Sequence, residues 1–303
     1  MCTIKYIVPF IFAQNLWTMK FVDIKNDIAF RKIFANDKKT EILISFLNAV
    51  MHLEGDKRIK AITIANPFQL PILPNMKTSI IDVKARDFKG NTYIIEMQVA
   101  DVLGMDKRLL YYTSKEYSQQ IGSGEKYTEL NPVIFIGIFD FDFTTGTEYL
   151  SHHAICNVET KERVIKDMDF YFIELTKFNK LEKDLTDITD KWIYFIKEAE
   201  NLDVIPSNLN DDGLKEAYKD ANQNTWSQAE LDAYNYSAMR EQDDRGRIAK
   251  AEQKALQKGV EQKEVEATIG LDKIGLPKEK IAEALNISIE RVAQIIENHK
   301  KQS

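Results

Sequence analysis

The chain contains little cysteine and little histidine. Of its 303 residues only Cys2 and Cys156 are cysteines, and four are histidines. Two cysteines cannot build a disulfide framework, and such low cysteine usage is typical of proteins of a reducing cytoplasm, where we expect this one. No cysteine and histidine spacing matches a zinc site, and His152-His153 is interpreted as a solvated pair in a loop.

Long apolar runs are also missing. The run from Ile7 to Ala13 is far too short to span a bilayer. Only Lys5 precedes it and no clear small-x-small cleavage pattern follows, so it does not predict a signal peptide. We interpret residues 1–18 as a start-site extension or a disordered lead, and we expect no membrane partner.

The third absence is a net positive charge. The formal net charge is −6 and the isoelectric point is near 5.5, which argues against tight non-specific DNA binding. The charge is nevertheless uneven, because residues 1–99 carry 14 Lys and Arg against 9 Asp and Glu, and residues 100–239 carry 14 against 26. DNA affinity depends on local phosphate neutralisation, so the basic first third is the segment that favours DNA.

What the chain does contain is a pair of adjoining apolar runs, Ser79–Arg86 and Tyr93–Val99. β-branched and aromatic residues dominate both, and a Gly-Asn turn signal separates them, which predicts a β-hairpin. If the hairpin is symmetric about Lys89, Gly90 falls where a three-residue loop requires a positive φ.

Acidic residues interrupt one face of each run. Side chains alternate along a strand, so Asp82 shares a face with Lys84 and Arg86, and Glu96 shares a face with Gln98. The symmetric register sets Asp82 opposite Glu96, and two facing carboxylates repel unless a cation lies between them. This geometry indicates a divalent-metal site. The alternative is a half-exposed hairpin with a polar outer face, and the spacing alone does not decide between them.

Five further segments accompany the hairpin in a recognisable order. They are Asp27–Phe34, Ile44–Asn48, Lys107–Tyr112, Gly124–Tyr127 and Pro132–Ile138. With Asp82 and the run Ile94–Gln98, they make the chain resemble the PD-(D/E)XK nuclease family transposases, also called recombination-promoting nucleases, over roughly residues 20 to 260.

The resemblance implies an α/β fold with a restriction-endonuclease-like core, a mixed sheet flanked by helices, and a helical C-terminal extension. The local patterns agree with the αβββαβ order of that core. A short strand at Ala61–Ala65 would come first, followed by the hairpin, a helix at Met105–Gln120 and a buried strand at Pro132–Phe139, with one more strand at Phe170–Leu175.

The resemblance also implies a set of site residues. Asp82 and Glu96 would bind Mg²⁺, or Mn²⁺, and the backbone carbonyl of Met97 would supply a further oxygen ligand. Mg²⁺ is hard and usually binds through one or two carboxylates plus waters and substrate phosphate. Asp27 occupies the position of a further acidic residue on the first helix, and Glu41 is a weaker candidate for that role.

The chain departs from the superfamily pattern at Gln98, where a lysine is usual. A glutamine can orient a water molecule and donate a hydrogen bond, but it supplies no positive charge. Lys84, on the face of Asp82, is a possible substitute donor; the alternative is an ordinary surface salt bridge.

The helix after the hairpin carries a basic and aromatic stripe. Arg108, Tyr112 and Lys115 stand at i, i+4 and i+7, where they would share a face and contact a DNA phosphate. Arg108 is the strongest of the three because its planar fork suits phosphate oxygens. The alternative is an amphipathic helix that turns other residues to the sheet, namely Leu109, Leu110 and Tyr111.

Composition predicts the division of the chain into a nuclease-like domain (19–205), a charged helical linker (206–269) and a small helical unit (270–303). Within the last, Pro277–Ile296 resembles a helix-turn-helix, with Asn286 in the turn and Ser288 as N-cap. This unit could read DNA, bind a partner or form a homodimer.

The leading hypothesis is a Mg²⁺-dependent DNA endonuclease acting in recombination or transposition-like events. The first alternative is a catalytically impaired module that keeps the nuclease fold and binds DNA or protein. The second is a regulator that interacts through its C-terminal helices.

Overall fold

The computed structural model describes residues 19–69 and 79–302. The predictions for residues 1–18, and for the proline-rich segment beyond residue 69, lie outside these ranges. Within them, no helix is both long and apolar enough to cross a membrane. The chain divides into two compact units after Ala238, and each unit is described by itself.

A six-stranded mixed sheet forms the centre of the first unit. Two further strands, β2 (Phe68–Gln69) and β3 (Ser79–Ile80), lie outside this sheet. In chain order the strands are β1 (Ile62–Ile64), β2, β3, β4 (Val83–Asp87), β5 (Thr92–Gln98), β6 (Val133–Phe139), β7 (Leu150–Ala154) and β8 (Met168–Glu174). The sheet order is β1-β4-β5-β6-β8-β7, and β2 pairs with β3 alone. The central pairs β5–β6 and β6–β8 are parallel, and the outer pairs are antiparallel.

Helices cover both faces of this sheet. They are α1 (Asp27–Phe34), α2 (Thr40–Val50), α3 (Met105–Ser118), α4 (Ile188–Glu198), α5 (Asp212–Ala221) and the beginning of α6 (Gln228–Lys273). The helix α1 begins where the Asn26 side chain accepts hydrogen bonds from the amides of Ile28 and Ala29. α3 packs on one face through Met105 and Leu109, and the core on the other face draws on α1, α2, α4 and α5. All seven residues of β6 are therefore buried.

These elements confirm the predicted fold class, a mixed sheet flanked by helices with a helical C-terminal region. The short first strand, the post-hairpin helix and the two later strands all form within two residues of their predicted bounds. His152 and His153 are exposed, as predicted, but the predicted loop is wrong: the pair lies in β7, at an edge of the sheet, because its backbone pairs with β8.

The β4–β5 hairpin has the predicted register. Val83 pairs with Ile95 and Arg86 with Thr92, so the pairing is symmetric about Lys89. Gly90 has a φ of 89°, the left-handed conformation that glycine adopts without steric strain. The three-residue loop predicted from the sequence is confirmed.

The first unit extends further along the chain than the predicted nuclease-like domain. Leu214, Ala217 and Tyr218 of α5 are buried in its core. A Cβ atom on Gly213 would lie 2.5 Å from the Glu41 carbonyl oxygen, which shows how closely α5 approaches α2. The predicted boundary at residue 206 and the division after Ala238 differ because α5 presents an apolar face to the core.

The second unit is helical and contains the remainder of α6, α7 (Lys278–Leu285) and α8 (Ile289–Gln302). Asn286 ends α7 in the left-handed conformation with a φ of 52°, and the Ser288 hydroxyl accepts a hydrogen bond from the Arg291 amide (3.1 Å). The predicted turn and N-cap are thus confirmed. The core of this unit consists of Ile281, Ala282, Val292 and Ile296, with Leu271, Leu276, Leu285 and Ile287 packed around them.

Candidate active site

Asp82 and Glu96 meet across the hairpin at its open end. The Asp82 amide donates a hydrogen bond to Oε2 of Glu96 (3.2 Å), and the Met97 amide donates to Oδ2 of Asp82 (2.9 Å). Each carboxylate is therefore fixed by a backbone amide of the opposite chain segment. Both residues are buried, at 9% and 3% exposure. The predicted pairing of the two carboxylates is confirmed as geometry.

The second oxygen of each carboxylate contacts an arginine. Arg31 of α1 donates from Nη2 to Oδ1 of Asp82 (2.8 Å), and Arg108 of α3 donates from Nη2 to Oε1 of Glu96 (2.6 Å). Every oxygen of the two carboxylates thus accepts at least one hydrogen bond, from a backbone amide or from a guanidinium. The two acidic side chains and the two basic ones form one compact cluster.

Burial sets the protonation of this cluster. Removal from water, followed by the nearby charge of Asp82, raises the pKa of Glu96 to about 8. Arg108 and Arg31 act in the opposite direction, because positive charge favours the carboxylate. Burial and Asp82 thus favour the neutral form of Glu96, and the nearby positive charges favour its carboxylate.

Gln98 is directed into the same cluster. Its Nε2 donates to Oε1 of Glu96 (3.2 Å), and its Oε1 lies 3.5 Å from Nη1 of Arg108. The side chain is neutral, so the positive charge beside Glu96 comes from Arg108 of α3. Arg108 is held in place because its Nε donates to the Tyr112 hydroxyl (2.9 Å).

The Met97 carbonyl lies on the same side of β5 as Asp82. In a strand the amide and carbonyl of one residue point to the same side. The Met97 amide points to Asp82, whereas the Gln98 carbonyl accepts from the Asp140 amide on the opposite side (2.9 Å). The Met97 carbonyl therefore points to the side of β5 on which Asp82 lies, where it can serve as a third oxygen ligand.

The donor set suits a hard divalent cation. Among residues 19–69 and 79–302, no three His, Cys, Asp or Glu side chains come together as a metal site. The cluster supplies two carboxylates and one backbone carbonyl that points to the same side of β5. Mg²⁺ needs no more than this, because it keeps several waters and binds substrate phosphate as well. The residues present fit Mg²⁺ or Mn²⁺.

Asp27, predicted as a further acidic residue, acts on the cluster through Arg31. It lies one helical turn before Arg31, and its charge helps to keep the pKa of that guanidinium raised, against burial, together with the closer Asp82. Its Oδ1 accepts a hydrogen bond from the Ser237 hydroxyl. Glu41, the weaker candidate, lies exposed in the first turn of α2.

Lys84 is engaged elsewhere. Its Nζ donates to Oε2 of Glu116 on α3 (2.9 Å), and Arg86 donates to the other oxygen of that buried carboxylate (3.2 Å). Lys84 thus forms a salt bridge, as the alternative predicted, but the pair is largely buried and does not lie at the surface. The two basic residues on the face of Asp82 thus tie the hairpin to α3.

The predicted stripe on α3 is only partly assembled. Arg108 and Tyr112 contact each other beside Glu96, but Lys115 is buried at 4% exposure and does not fit an accessible phosphate contact. The docking of α3 on the sheet, which the spacing could not show, turns Lys115 inward. The amphipathic alternative also fails for two residues, because Leu110 and Tyr111 are exposed and only Leu109 is buried.

Sequence reasoning missed Arg31. The signal was present, because Asp27 and Arg31 form an i, i+4 pair of opposite charge inside a segment already singled out. That local pattern, however, does not show that the face of α1 that carries Arg31 lies beside the open end of the hairpin.

Comparison with known proteins supports one assignment. A search of curated proteins and a search of solved structures give no significant match. The family model described as PD-(D/E)XK nuclease family transposase matches residues 24–251, about three quarters of the chain. The predicted resemblance is confirmed, and the protein belongs to the PD-(D/E)XK nuclease family transposases.

Proposed function

We propose that the protein is a divalent-metal-dependent DNA endonuclease that acts in recombination or transposition-like processes. The observation that carries this proposal is the reciprocal pairing of Asp82 and Glu96, in which each carboxylate is fixed by an amide of the opposite segment. A half-exposed polar hairpin face would have no reason to bury two facing carboxylates.

Asp82, Glu96 and the Met97 carbonyl would hold Mg²⁺ or Mn²⁺. When bound, such an ion lowers the pKa of a coordinated water and offsets charge on the phosphate. The β4–β5 register keeps the two carboxylates within reach of one ion, and the backbone amides preset their orientation. The ordering of these ligands is therefore complete before substrate arrives.

Gln98 and Arg108 would divide the tasks that one lysine performs elsewhere in the superfamily. Gln98, bonded to Glu96, orients that carboxylate and can position a water. Arg108, fixed by Tyr112 and 35% exposed, supplies positive charge for a DNA phosphate. The charge missing from β5 is thus provided from α3.

A catalytically impaired DNA-binding module is the second candidate. The observation in its favour is that the Gln98 amide is already used to hold Glu96. In that case DNA would bind near Arg108 without being cut. Replacement of Gln98 by alanine separates the two, because it should reduce cleavage by about 10- to 1,000-fold if Gln98 is a preorganised donor.

The deciding experiment is plasmid nicking by purified protein with Mg²⁺, with Mn²⁺ and with chelator. Asp82→Asn and Glu96→Gln should abolish nicking, because each removes a metal-binding charge. Asp167→Asn is the matched control, since that carboxylate accepts from the Tyr117 hydroxyl, away from the cluster. Nicking at the wild-type rate by either site variant would sink the assignment. Retained DNA binding with no nicking by the wild type would favour the binding module.

A further inference from the structure

We propose that Arg31 is a positioning residue that competes with the divalent cation for Asp82 and thereby couples metal binding to DNA binding. The inference rests on the proposed function, since it assumes that Asp82 and Glu96 are the metal ligands. It adds a role for a residue of α1 that lies outside both the hairpin and α3.

The four carboxylate oxygens of the pair differ in the kind of donor that each one contacts. Oδ2 of Asp82 and Oε2 of Glu96 accept from backbone amides, whose positions are set by the strands. Oδ1 of Asp82 and Oε1 of Glu96 accept from guanidinium groups, which move by side-chain rotation alone. A cation bound by both carboxylates therefore approaches on the side where the arginines now lie.

The two arginines are not equally held. Arg108 donates to the Tyr112 hydroxyl as well as to Glu96, which fixes it on α3. Arg31 makes its hydrogen bond to Asp82, its side chain is 41% exposed, and its Nε has no hydrogen-bond partner among the described residues. Displacing Arg31 therefore breaks fewer hydrogen bonds than displacing Arg108.

Charge then links the two ligands. A divalent cation at Asp82 repels the guanidinium that it displaces, and a DNA phosphate offers that guanidinium a planar, bidentate partner. Metal binding without DNA therefore costs Arg31 its hydrogen-bonded counter-charge on Asp82, whereas a bound DNA phosphate replaces that counter-charge. By thermodynamic linkage, the metal should tighten DNA binding by the same factor.

Arg163 provides a matched control within the same chain. Its Nη2 donates to Oδ2 of Asp169 (2.5 Å), and its Nε, like that of Arg31, lacks a partner among the described residues. The other oxygen of Asp169 contacts the His152 ring, so this pair has a histidine as its neighbour where the cluster has a second carboxylate. Arg163→Gln removes an arginine–aspartate pair of the same kind away from the cluster.

The test is a titration of the full chain with Mn²⁺, with and without a short DNA duplex. The electron paramagnetic resonance signal of free Mn²⁺ measures how much of the ion is bound. Without DNA, Arg31→Gln should bind Mn²⁺ about 5-fold tighter or more, because the competitor is gone. With DNA, the wild type should gain Mn²⁺ affinity and Arg31→Gln should gain much less. Arg163→Gln should match the wild type in both arms. Gel analysis of the recovered duplex identifies any titration point at which the DNA has been cut, and only points with intact duplex are compared.

Unchanged or weaker Mn²⁺ binding by Arg31→Gln overturns the inference, and so does an equal gain in Arg163→Gln. Arg31→Lys is the second variant: it keeps a charge without the planar fork, and its Mn²⁺ affinity should fall between those of the wild type and Arg31→Gln. Circular dichroism establishes that each variant is folded. If wild-type Mn²⁺ binding is not weakened by Asp82→Asn, the proposed metal site itself fails, which is a different result from failure of the Arg31 role.

Discussion

Glu96 illustrates how single residues set the chemistry of the cluster. Its carboxyl is buried next to a second carboxylate, which would be destabilising in an ordinary core. Two guanidinium groups and two hydrogen bonds, from the Asp82 amide and from Gln98, offset part of that penalty. A position that a purely structural residue would avoid is therefore consistent with a ligand site.

The raised pKa of Glu96 predicts a stability that depends on pH. It lies near 8 in the folded protein against an ordinary value of 4.5. Between pH 4.5 and about pH 8, the carboxyl of Glu96 is protonated in the native state and ionised in the unfolded chain. The stabilisation from this proton is therefore complete at low pH and is lost as the pH rises towards 8. Glu96→Gln removes this titration. In chelating buffer, its thermal midpoint relative to the wild type should rise from about pH 5 to about pH 8.

The exposed Glu129 supplies the control for this pH series, because Glu129→Gln removes a carboxylate without removing a buried one. Its midpoint relative to the wild type should stay level over the same range. A level difference for Glu96→Gln as well would contradict the raised pKa.

At the scale of elements, the hairpin loop determines the register that brings the carboxylates together. A shift of the pairing by one residue would turn every side chain of a strand to the other face. The loop is held by Asp87, whose carboxylate accepts from the amides of Lys89 and Asn91 and from the Tyr93 hydroxyl. The site is thus specified at the loop end as well as at the open end.

Gly90→Ala should destabilise the protein by about 1–2 kcal/mol, because an alanine is strained at a left-handed φ. The new Cβ would also lie 2.7 Å from Oδ1 of Asn131. Gly146→Ala is the control, since its Cβ would meet the Thr144 hydroxyl at an ordinary contact distance of 3.8 Å. Urea unfolding measures both variants. Equal stabilities for the two would show that the loop tolerates a side chain and does not impose the register.

At the scale of the whole molecule, the two units differ in the cations that they offer to DNA. In the first unit Arg108 borders the carboxylate pair. In the second, Arg291, on the helix that would read DNA, donates to Glu264 (2.7 Å) and Glu261 (3.1 Å). A cation neutralised by two carboxylates contributes little to phosphate binding. We therefore propose that residues 270–303 serve self-association or partner choice more than general DNA affinity.

Arg108→Ala and Arg291→Ala make this comparison directly. Arg108→Ala should weaken binding to all DNA sequences alike and reduce the log-log salt slope by about 1, as for one lost phosphate contact. Arg291→Ala should leave the slope unchanged. Deletion of residues 270–303 should preserve metal-dependent nicking while changing the oligomeric state measured by light scattering. Loss of DNA binding on deletion, with Arg108→Ala unaffected, would assign DNA handling to the C-terminal unit.

Features that depend on neighbours along the chain could be predicted from the residues alone. The turn chemistry at Gly90 and the two-residue alternation of the strands were enough to place Asp82 opposite Glu96, residues only 14 apart. Ordered short motifs were enough for the fold class and the family. Such features are local, because a hairpin register and a strand face follow from consecutive residues.

The side chains that complete the cluster depend on how distant segments pack together. Arg31 lies 51 residues before Asp82, and no spacing rule connects them. Lys115 was expected at the surface and is buried, and α5 was expected in a linker and belongs to the core. The physical reason is common to all three: periodicity shows which residues share a helix face, whereas the neighbour that this face meets depends on how the helix packs against elements distant in sequence.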